Sequence, residues 1–357
     1  MKLKEYMNTP FRRMMLRNIV LVLITGICLL YVALRDNRRM YGESLIFSTM
    51  STTATVDLGG KDRGAVKQAL AAAHAAVREV EKTCNIFDTD SELSRLNAKA
   101  ADEPVACGDL LWDLLTLARE FYRDSGGVFD VTIDPLMKLW GFHSKRETLP
   151  TAEEIAEAKA LTGLDKVVFD DEKHTVKFSV PGMSLNLGGI AKGYALDRAA
   201  AAVQALGIRT GWIEIGGNIL ALPKKKGGGK YSAGIRNPFR KTELLGHAPM
   251  ADAAISTSGN YERYVVIDGR QYTHIINPST GLPVADMDSV TVIVPAGGSI
   301  PPGTASDAVS TSIFIAGPDA VGGWTKRFPG LRVLIVRGAA DNPEILKYGK
   351  GWNDITH

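Results

Sequence analysis

The stretch Leu185-Asn186-Leu187-Gly188-Gly189-Ile190-Ala191-Lys192-Gly193-Tyr194-Ala195-Leu196-Asp197 separates two halves of the chain that differ in character. Its glycines open a helix predicted to run to about Leu206. Upstream, helical patterns dominate: an Ala-rich segment from about Asp62 to Lys82, a second from Asp109 to Arg123 ended by Ser125-Gly126-Gly127, and a third from Thr151, where Glu154 stands at capping-box spacing. Before them the β-rich LIFSTMSTTATVDL (residues 45–58) implies a strand, and Lys166 to Asp170 with Thr175 to Val180 reads as a hairpin. Downstream come short strand-like runs: Thr210 to Leu222, Tyr231 to Arg236, Ala253 to Ser258, Tyr261 to Ile267, Ser289 to Val294 and Leu331 to Val336. Strands and helices do not alternate regularly, so the sequence predicts an α+β fold with a largely antiparallel sheet core and helices.

The chain has 357 residues and a formal net charge of +3. Much of that excess lies in the first 40 residues, which argues against a nucleic-acid-binding body. Ile19 to Leu34 (IVLVLITGICLLYVAL) is uncharged and apolar and follows Lys2, Lys4, Arg12, Arg13 and Arg17. It is a little short of the roughly 20 residues that span hydrocarbon comfortably, so an uncleaved membrane-anchoring helix and a secretory signal are both open. The larger basic cluster precedes the run, which predicts a cytoplasmic N-terminus in the inner (cytoplasmic) membrane and a body on the periplasmic, extracytoplasmic side. The expected organisation is therefore a tail and anchor over 1–35, a linker over 36–44 and one domain over 45–357. Cys84 and Cys107 have no CxxC or Cys/His spacing, which leaves them as ordinary apolar residues or a pair.

Four segments carry chemistry. In Gly126-Gly127-Val128-Phe129-Asp130 through Phe142, the glycine pair permits close backbone approach and Asp130 offers a carboxylate; a turn into a core strand is the plain alternative. The Gly188-Gly189 helix entry aims backbone N–H groups at a potential phosphate, with Lys192 adding a cation; tight helix-on-sheet packing competes with that. His274 lies between a β-rich run and Asn277-Pro278-Ser279-Thr280-Gly281, placed for general-base work or for a structural role. In Ser306-Asp307-Ala308-Val309-Ser310-Thr311-Ser312, Asp307 and Thr311 share a helix face as hard oxygen donors suited to Mg²⁺, unless Ser306 or Asp307 merely caps the helix.

Together and in this order, these segments resemble the ApbE family over roughly Ser48 to Phe328. Further marks are Ser48-Thr49-Met50, Asp90-Ser91-Glu92-Leu93-Ser94-Arg95-Leu96-Asn97 and Thr257-Ser258-Gly259-Asn260-Tyr261. The resemblance implies an FAD:protein FMN transferase that uses FAD as substrate and Mg²⁺ as cofactor, moves FMN to a Thr or Ser hydroxyl of an acceptor protein and releases AMP. It implies FAD contacts from Met50, Val128, Phe129, Asp130, Asn186, Lys192, His274, Ile275 and Ile276, and Mg²⁺ held by the Gly189 carbonyl, Asp307 and Thr311. His274 and Lys192 are the expected catalytic groups. The implied acceptors are flavoprotein subunits of membrane redox complexes of the Nqr and Rnf type. Asn186 replaces a commonly acidic residue, and Phe87 a usual Tyr. The rival readings are an extracytoplasmic FAD pyrophosphatase yielding FMN and AMP, and an FAD-binding protein without turnover.

Overall fold

The computed structural model describes residues 10–36, 40–225, 227–240, 242–353 and 355. Lys2, Lys4 and residues 37–39 of the expected linker lie outside them. Eight strands form the main sheet: β1 (Tyr41–Thr49), β2 (Thr52–Gly60), β3 (Thr210–Ile215), β4 (Asn218–Ala221), β5 (Ala253–Gly259), β6 (Ser289–Pro295), β7 (Arg332–Ala339) and β8 (Asn342–Tyr348). They lie side by side in chain order, and every pairing is antiparallel. The sheet is thus a meander whose long connections carry the helices and the smaller hairpins, as the irregular alternation of elements predicts. β1 begins inside the stretch read as a linker, because Tyr41–Thr49 pairs with Thr52–Gly60 without a break in register.

The helices are α1 (Pro10–Asp36), α2 (Arg63–Cys84), α3 (Glu92–Lys99), α4 (Asp109–Asp124), α5 (Asp134–Leu139), α6 (Ala152–Ala160), α7 (Ala191–Ala205) and α8 (Pro302–Ala316), with a last short helix at Val321–Arg327; α2, α7 and α8 pack on the sheet. Of these, α2 packs on α7, α7 on α8, and α8 on β5 and β6. Their buried side chains and those of β2, β3 and β6 build the largest core, including Val56, Leu58, Val77, Leu115, Leu187, Leu196, Val290 and Ile313. A second cluster fills the opposite face, where the Tyr231–Arg236 and Leu244–Met250 hairpin and Trp352 cover Ile255, Ile293 and Leu334. A third, around Leu136, Trp140, Phe142 and Ile276, seats α5 beside the Tyr264–Ile267 and Arg270–Thr273 hairpin.

Helix α8 is buried on nearly every side, from Gly303 to Ser310 and again at Ser312 to Phe314, so its hydroxyls need partners inside the protein. They have them: Ser306 Oγ meets Ser256 Oγ at 2.8 Å, Ser310 Oγ meets Ser258 Oγ at 2.9 Å, and Ser312 Oγ donates to the Ala308 carbonyl at 2.7 Å. Neither Ser306 nor Asp307 caps this helix; both lie within it, and the cap comes from another element. Asp197 on α7 accepts from Gly303 N (2.8 Å), Thr304 N (2.6 Å) and Thr304 Oγ1 (2.6 Å). Residues 128–133 do not form the core strand of the plain alternative. Asp130 Oδ1 accepts from Thr132 N and Oγ1 at 2.8 and 2.6 Å, a local turn that diverts the backbone from a ladder, and α5 then starts at Asp134 with Pro135 in its first turn.

The N-terminal run is helical, with Met14, Met15, Ile19 to Ile24 and Ile27 exposed. Among the described residues no helix is long and apolar enough to cross a membrane. Charged Arg12, Arg13, Arg17, Arg35 and Asp36 bound the apolar stretch within this helix. Cys84 and Cys107 are free thiols, and burial pushes both up to about 12.

Candidate active site

A cleft of about 570 Å³ opens beside α7 and α8. Met50 from the β1–β2 turn, Val128, Phe129 and Asp130, Asn186, Gly189 and Lys192, His274, Ile275 and Ile276, and Asp307 and Thr311 all line it. Every site residue expected from the sequence therefore reaches one cavity, from segments far apart in the chain.

The polar wall is built by α7 crossing α8. Gly193 and Gly303 meet backbone to backbone: a Cβ at Gly193 would overlap the Gly303 carbonyl, and one at Gly303 would sit 2.5 Å from the Gly193 oxygen. This close approach realises the tight-packing alternative for Gly193 as a helix-on-helix contact, while Gly188 and Gly189 border the cleft. It lets Gly193 N donate to Asp307 Oδ2 at 2.9 Å, and Asn218 Nδ2 donates to Oδ1 at 2.9 Å. The Asp307 side chain is thereby oriented, with the Lys192 ammonium 3.8 Å from Oδ1. Thr311 Oγ1 lies 3.3 Å from the Asp307 carbonyl and 3.2 Å from Ser258 Oγ. Gly189 abuts this pair, since a Cβ there would stand 3.7 Å from Thr311 Oγ1 and 3.3 Å from Phe129.

Among the described residues no group of three or more His, Cys, Asp or Glu side chains is arranged to hold a metal. The set on this wall is one carboxylate and one hydroxyl beside the Gly189 backbone, with lone pairs left on each Asp307 oxygen after its single protein donor. That donor set fits Mg²⁺, a hard cation that keeps waters and substrate phosphate oxygens in its shell and accepts few protein ligands.

Across the cleft, His274 Nδ1 lies 2.9 Å from the Arg263 carbonyl, which also accepts from His274 N at 3.1 Å. A carbonyl only accepts, so Nδ1 carries the ring proton and Nε2 keeps its lone pair. Burial, aided by the charges of Lys192 and Arg263 and opposed by that hydrogen bond, pushes His274 down to about 4. The Arg263 guanidinium donates to the Phe142 carbonyl and lies 5.8 Å from the centre of the exposed Phe87 ring.

At the remaining edge, Met50 (φ 47°) and Ser51 (φ 59°) form a two-residue turn with both residues in the left-handed region, a conformation that non-glycine residues adopt at a cost. Glu81 on α2 steadies it by accepting from Met50 N at 2.5 Å. Burial would raise Glu81, but the Met50 N–H and Arg78, which is 2.6 Å away, hold it below the usual carboxylate range. Asn186 is fixed at both ends of its amide: Oδ1 accepts from Gly188 N at 2.9 Å, and Nδ2 donates to Asp134 Oδ1 at 3.1 Å. Asp134 is buried, and although burial alone would raise it, Lys138 and Ser184 keep it low. A carboxylate at position 186 would face that anion, so the amide suits this surrounding.

Sequence reasoning missed Glu81, Asn85, Asn218, Glu262 and Arg263. Of these all but Asn218 line the cleft, and Asn218 orients Asp307 from behind. Glu81 reads as one more charge on an Ala-rich amphipathic helix. The one signal for Asn218 was Gly216-Gly217-Asn218, a turn motif inside a β-rich run.

A sequence model of the ApbE family matches residues 50–335. The FAD:protein FMN transferase of Treponema pallidum (strain Nichols) is 33% identical over 294 residues, covering 76% of this chain and 79% of that protein. The protein of the same name from Haemophilus influenzae is 29% identical, with 88% and 91% covered. Among solved structures, the ApbE protein of Thermotoga maritima superposes with a TM-score of 0.77 at 30% identity, covering 86% of this chain and 97% of that one. The flavinyl transferase ApbE of Pseudomonas stutzeri, in its apo form, gives 0.75 at 27% identity, covering 88% and 97%. Sequence and fold agree over most of the chain, which belongs to the ApbE family.

Proposed function

We propose that this chain is an FAD:protein FMN transferase that moves the FMN moiety of FAD onto a Ser or Thr hydroxyl of another polypeptide and releases AMP. The observation that carries this reading is the convergence on one cleft of a lone-pair-bearing His274, a cationic Lys192 and the oriented oxygens of Asp307 and Thr311. The acceptor hydroxyl attacks the FMN-side phosphorus, and a new P–O bond forms. The bond from that phosphorus to the bridging oxygen breaks, and AMP departs with the oxygen. The hydroxyl proton passes to Nε2 of His274, and Lys192 stabilises the phosphate oxygens. Mg²⁺ bound through Asp307, Thr311 and the Gly189 carbonyl would neutralise the negative charge that accumulates on the phosphates. The apolar part of the wall, Met50, Val128, Phe129, Ile275 and Ile276, suits an aromatic ligand, and Asp130 and Asn186 offer polar partners for its N–H and hydroxyl groups.

We also propose that α1 attaches the enzyme to the inner membrane with its body on the extracytoplasmic side. Support comes from the exposed apolar side chains of α1 and the basic residues that precede its apolar run. Acceptors of the Nqr and Rnf type, themselves membrane-held, would then share one surface with the enzyme. The test is the intact mass of such an acceptor after incubation with the detergent-solubilised chain, FAD and Mg²⁺. A gain of one FMN that EDTA or Asp307→Ala abolishes is expected. Free FMN and AMP without a mass gain would establish the pyrophosphatase instead, and unchanged FAD the binding protein.

A further inference from the structure

A transferase of this kind has to admit a length of polypeptide as well as FAD, and the sheet supplies a place for it. β1 is one of the sheet's two edges, and its last residue, Thr49, leads straight into the Met50–Ser51 turn on the cleft wall. The opposite edge, β8, has no residue on the cleft. The two-residue turn makes Thr49 and Thr52 a hydrogen-bonded pair, so the alternate positions paired with Thr53, Thr55 and Asp57 are not bonded to β2. Those positions are Ser48, Ile46 and Ser44, whose backbone N–H and C=O groups point away from the sheet; all three side chains are exposed.

Edges of this kind are ordinarily blunted by lysine, proline or a bulge. β1 has none of the three: its register is unbroken over nine residues, and its one charge, Glu43, is paired with Arg63 at 2.7 Å. Beside its end lies a shallow depression lined by Ser48, Thr49, Ser51, Thr52, Thr53 and Arg78 with Glu81. Ser51, Thr52 and Glu81 belong to this depression and to the cleft alike. A polar path therefore leads from the open edge into the site.

We propose that β1 is the docking strand for the acceptor: an extended segment of the acceptor polypeptide adds to the edge at Ser44, Ile46 and Ser48, and the depression guides its hydroxyl into the cleft. Backbone hydrogen bonds along an edge recognise an extended chain of almost any sequence, which suits a substrate that is itself a length of polypeptide. The proposal rests on the transferase reading.

Proline at Ile46 or Ser48 removes an outward N–H and leaves the β1–β2 ladder intact. With the detergent-solubilised full chain, Ile46→Pro and Ser48→Pro are expected to raise the KM for an acceptor protein at least tenfold, read by intact mass. FAD affinity, read by flavin fluorescence, should stay within twofold. A KM unchanged in both variants overturns the proposal. Independently of folding in those variants, a photocrosslinking residue at Ser48 should capture the acceptor, and one at Glu344 on β8 should not. Capture at Glu344 alone, or at neither, also overturns it. If the wild-type chain yields free FMN and never labels an acceptor, the transferase reading fails, and the crosslinks still report whether a polypeptide docks on β1.

Discussion

His274 is neutral at physiological pH because its site is poorly solvated and two cations face it. Its folded value of about 4 lies below the ordinary 6.5, so between those limits the unfolded chain holds a proton that the folded chain does not. This group's contribution to stability is complete above pH 6.5 and is lost as pH falls toward 4. We expect the ring of His274 to titrate below pH 5 by NMR in the FAD-free protein, and kcat/KM to show no acid limb near pH 6.5; a value near 6.5 would contradict the burial argument. His274→Ala should slow transfer by about 10²–10⁴-fold with FAD affinity little changed, the ordinary loss for a general base. Asp307→Asn keeps the size of the side chain and removes its charge. Transfer should fall by about 10²-fold or more, and Mn²⁺ bound in the presence of FAD, counted by electron paramagnetic resonance, should disappear. The Asp307 and Thr311 pair was legible because both ends of the argument, i and i+4, lie on one helix. Asn218 and Arg263 were not, because each acts through a partner remote in sequence: Asp307 in one case and the Phe142 carbonyl in the other.

At the scale of elements, α8 is held by three devices: the Asp197 cap from α7, the Gly193–Gly303 contact and the serine pairs to β5. Asp197→Ala strips the first turn of α8 of its acceptor, and we expect a loss of about 2–4 kcal/mol in chemical denaturation, since three donors lose a charged partner at once. Asp197→Asn retains one carbonyl acceptor and should fall between the two. If the cap serves Asp307, both variants weaken Mn²⁺ binding in the same order. Gly193→Ala drives a methyl into backbone that has no rotamer to yield, so a loss of at least about 2 kcal/mol is expected, together with weaker metal binding. The cap was invisible in sequence because Asp197 and Gly303 meet only after α7 and α8 cross. Local signals served better where the chemistry was local: Thr151 and Glu154 form the capping box that their spacing predicts. Strands Leu244–Met250 and Asn342–Tyr348 were missed because Gly246 and Pro249 in the first, and Pro343, Glu344 and Lys347 in the second, speak against a ladder that only the neighbouring strands impose.

At the scale of the whole molecule, α1 stands apart in its contribution to the cores. Among the described side chains of α1, which include Met14, Met15 and Ile19 to Ile27, none belongs to any of the three buried clusters. The described side chains of α1 add no apolar burial to the body, and the exposed Ile19 to Ile24 leave about a turn and a half of helix with apolar surface that water disfavours. The 16 residues from Ile19 to Leu34 rise about 24 Å as a helix, against a hydrocarbon core of about 30 Å. A chain spanning 41–357 should melt within about 2 °C of the full-length protein in detergent and should label an excess of solubilised acceptor at an unchanged rate. With enzyme and acceptor reconstituted in the same vesicles at low surface density, the outcome should differ. Confinement to one surface raises effective concentration without adding a contact, so the full chain should label acceptor at least tenfold faster than the shortened one. Flotation through a sucrose gradient separates the causes: the full chain should rise with the vesicles and the shortened chain should remain at the bottom. Should the shortened chain melt far lower, α1 is part of the folded body; should both chains float and label alike, membrane attachment resides in the body and not in α1.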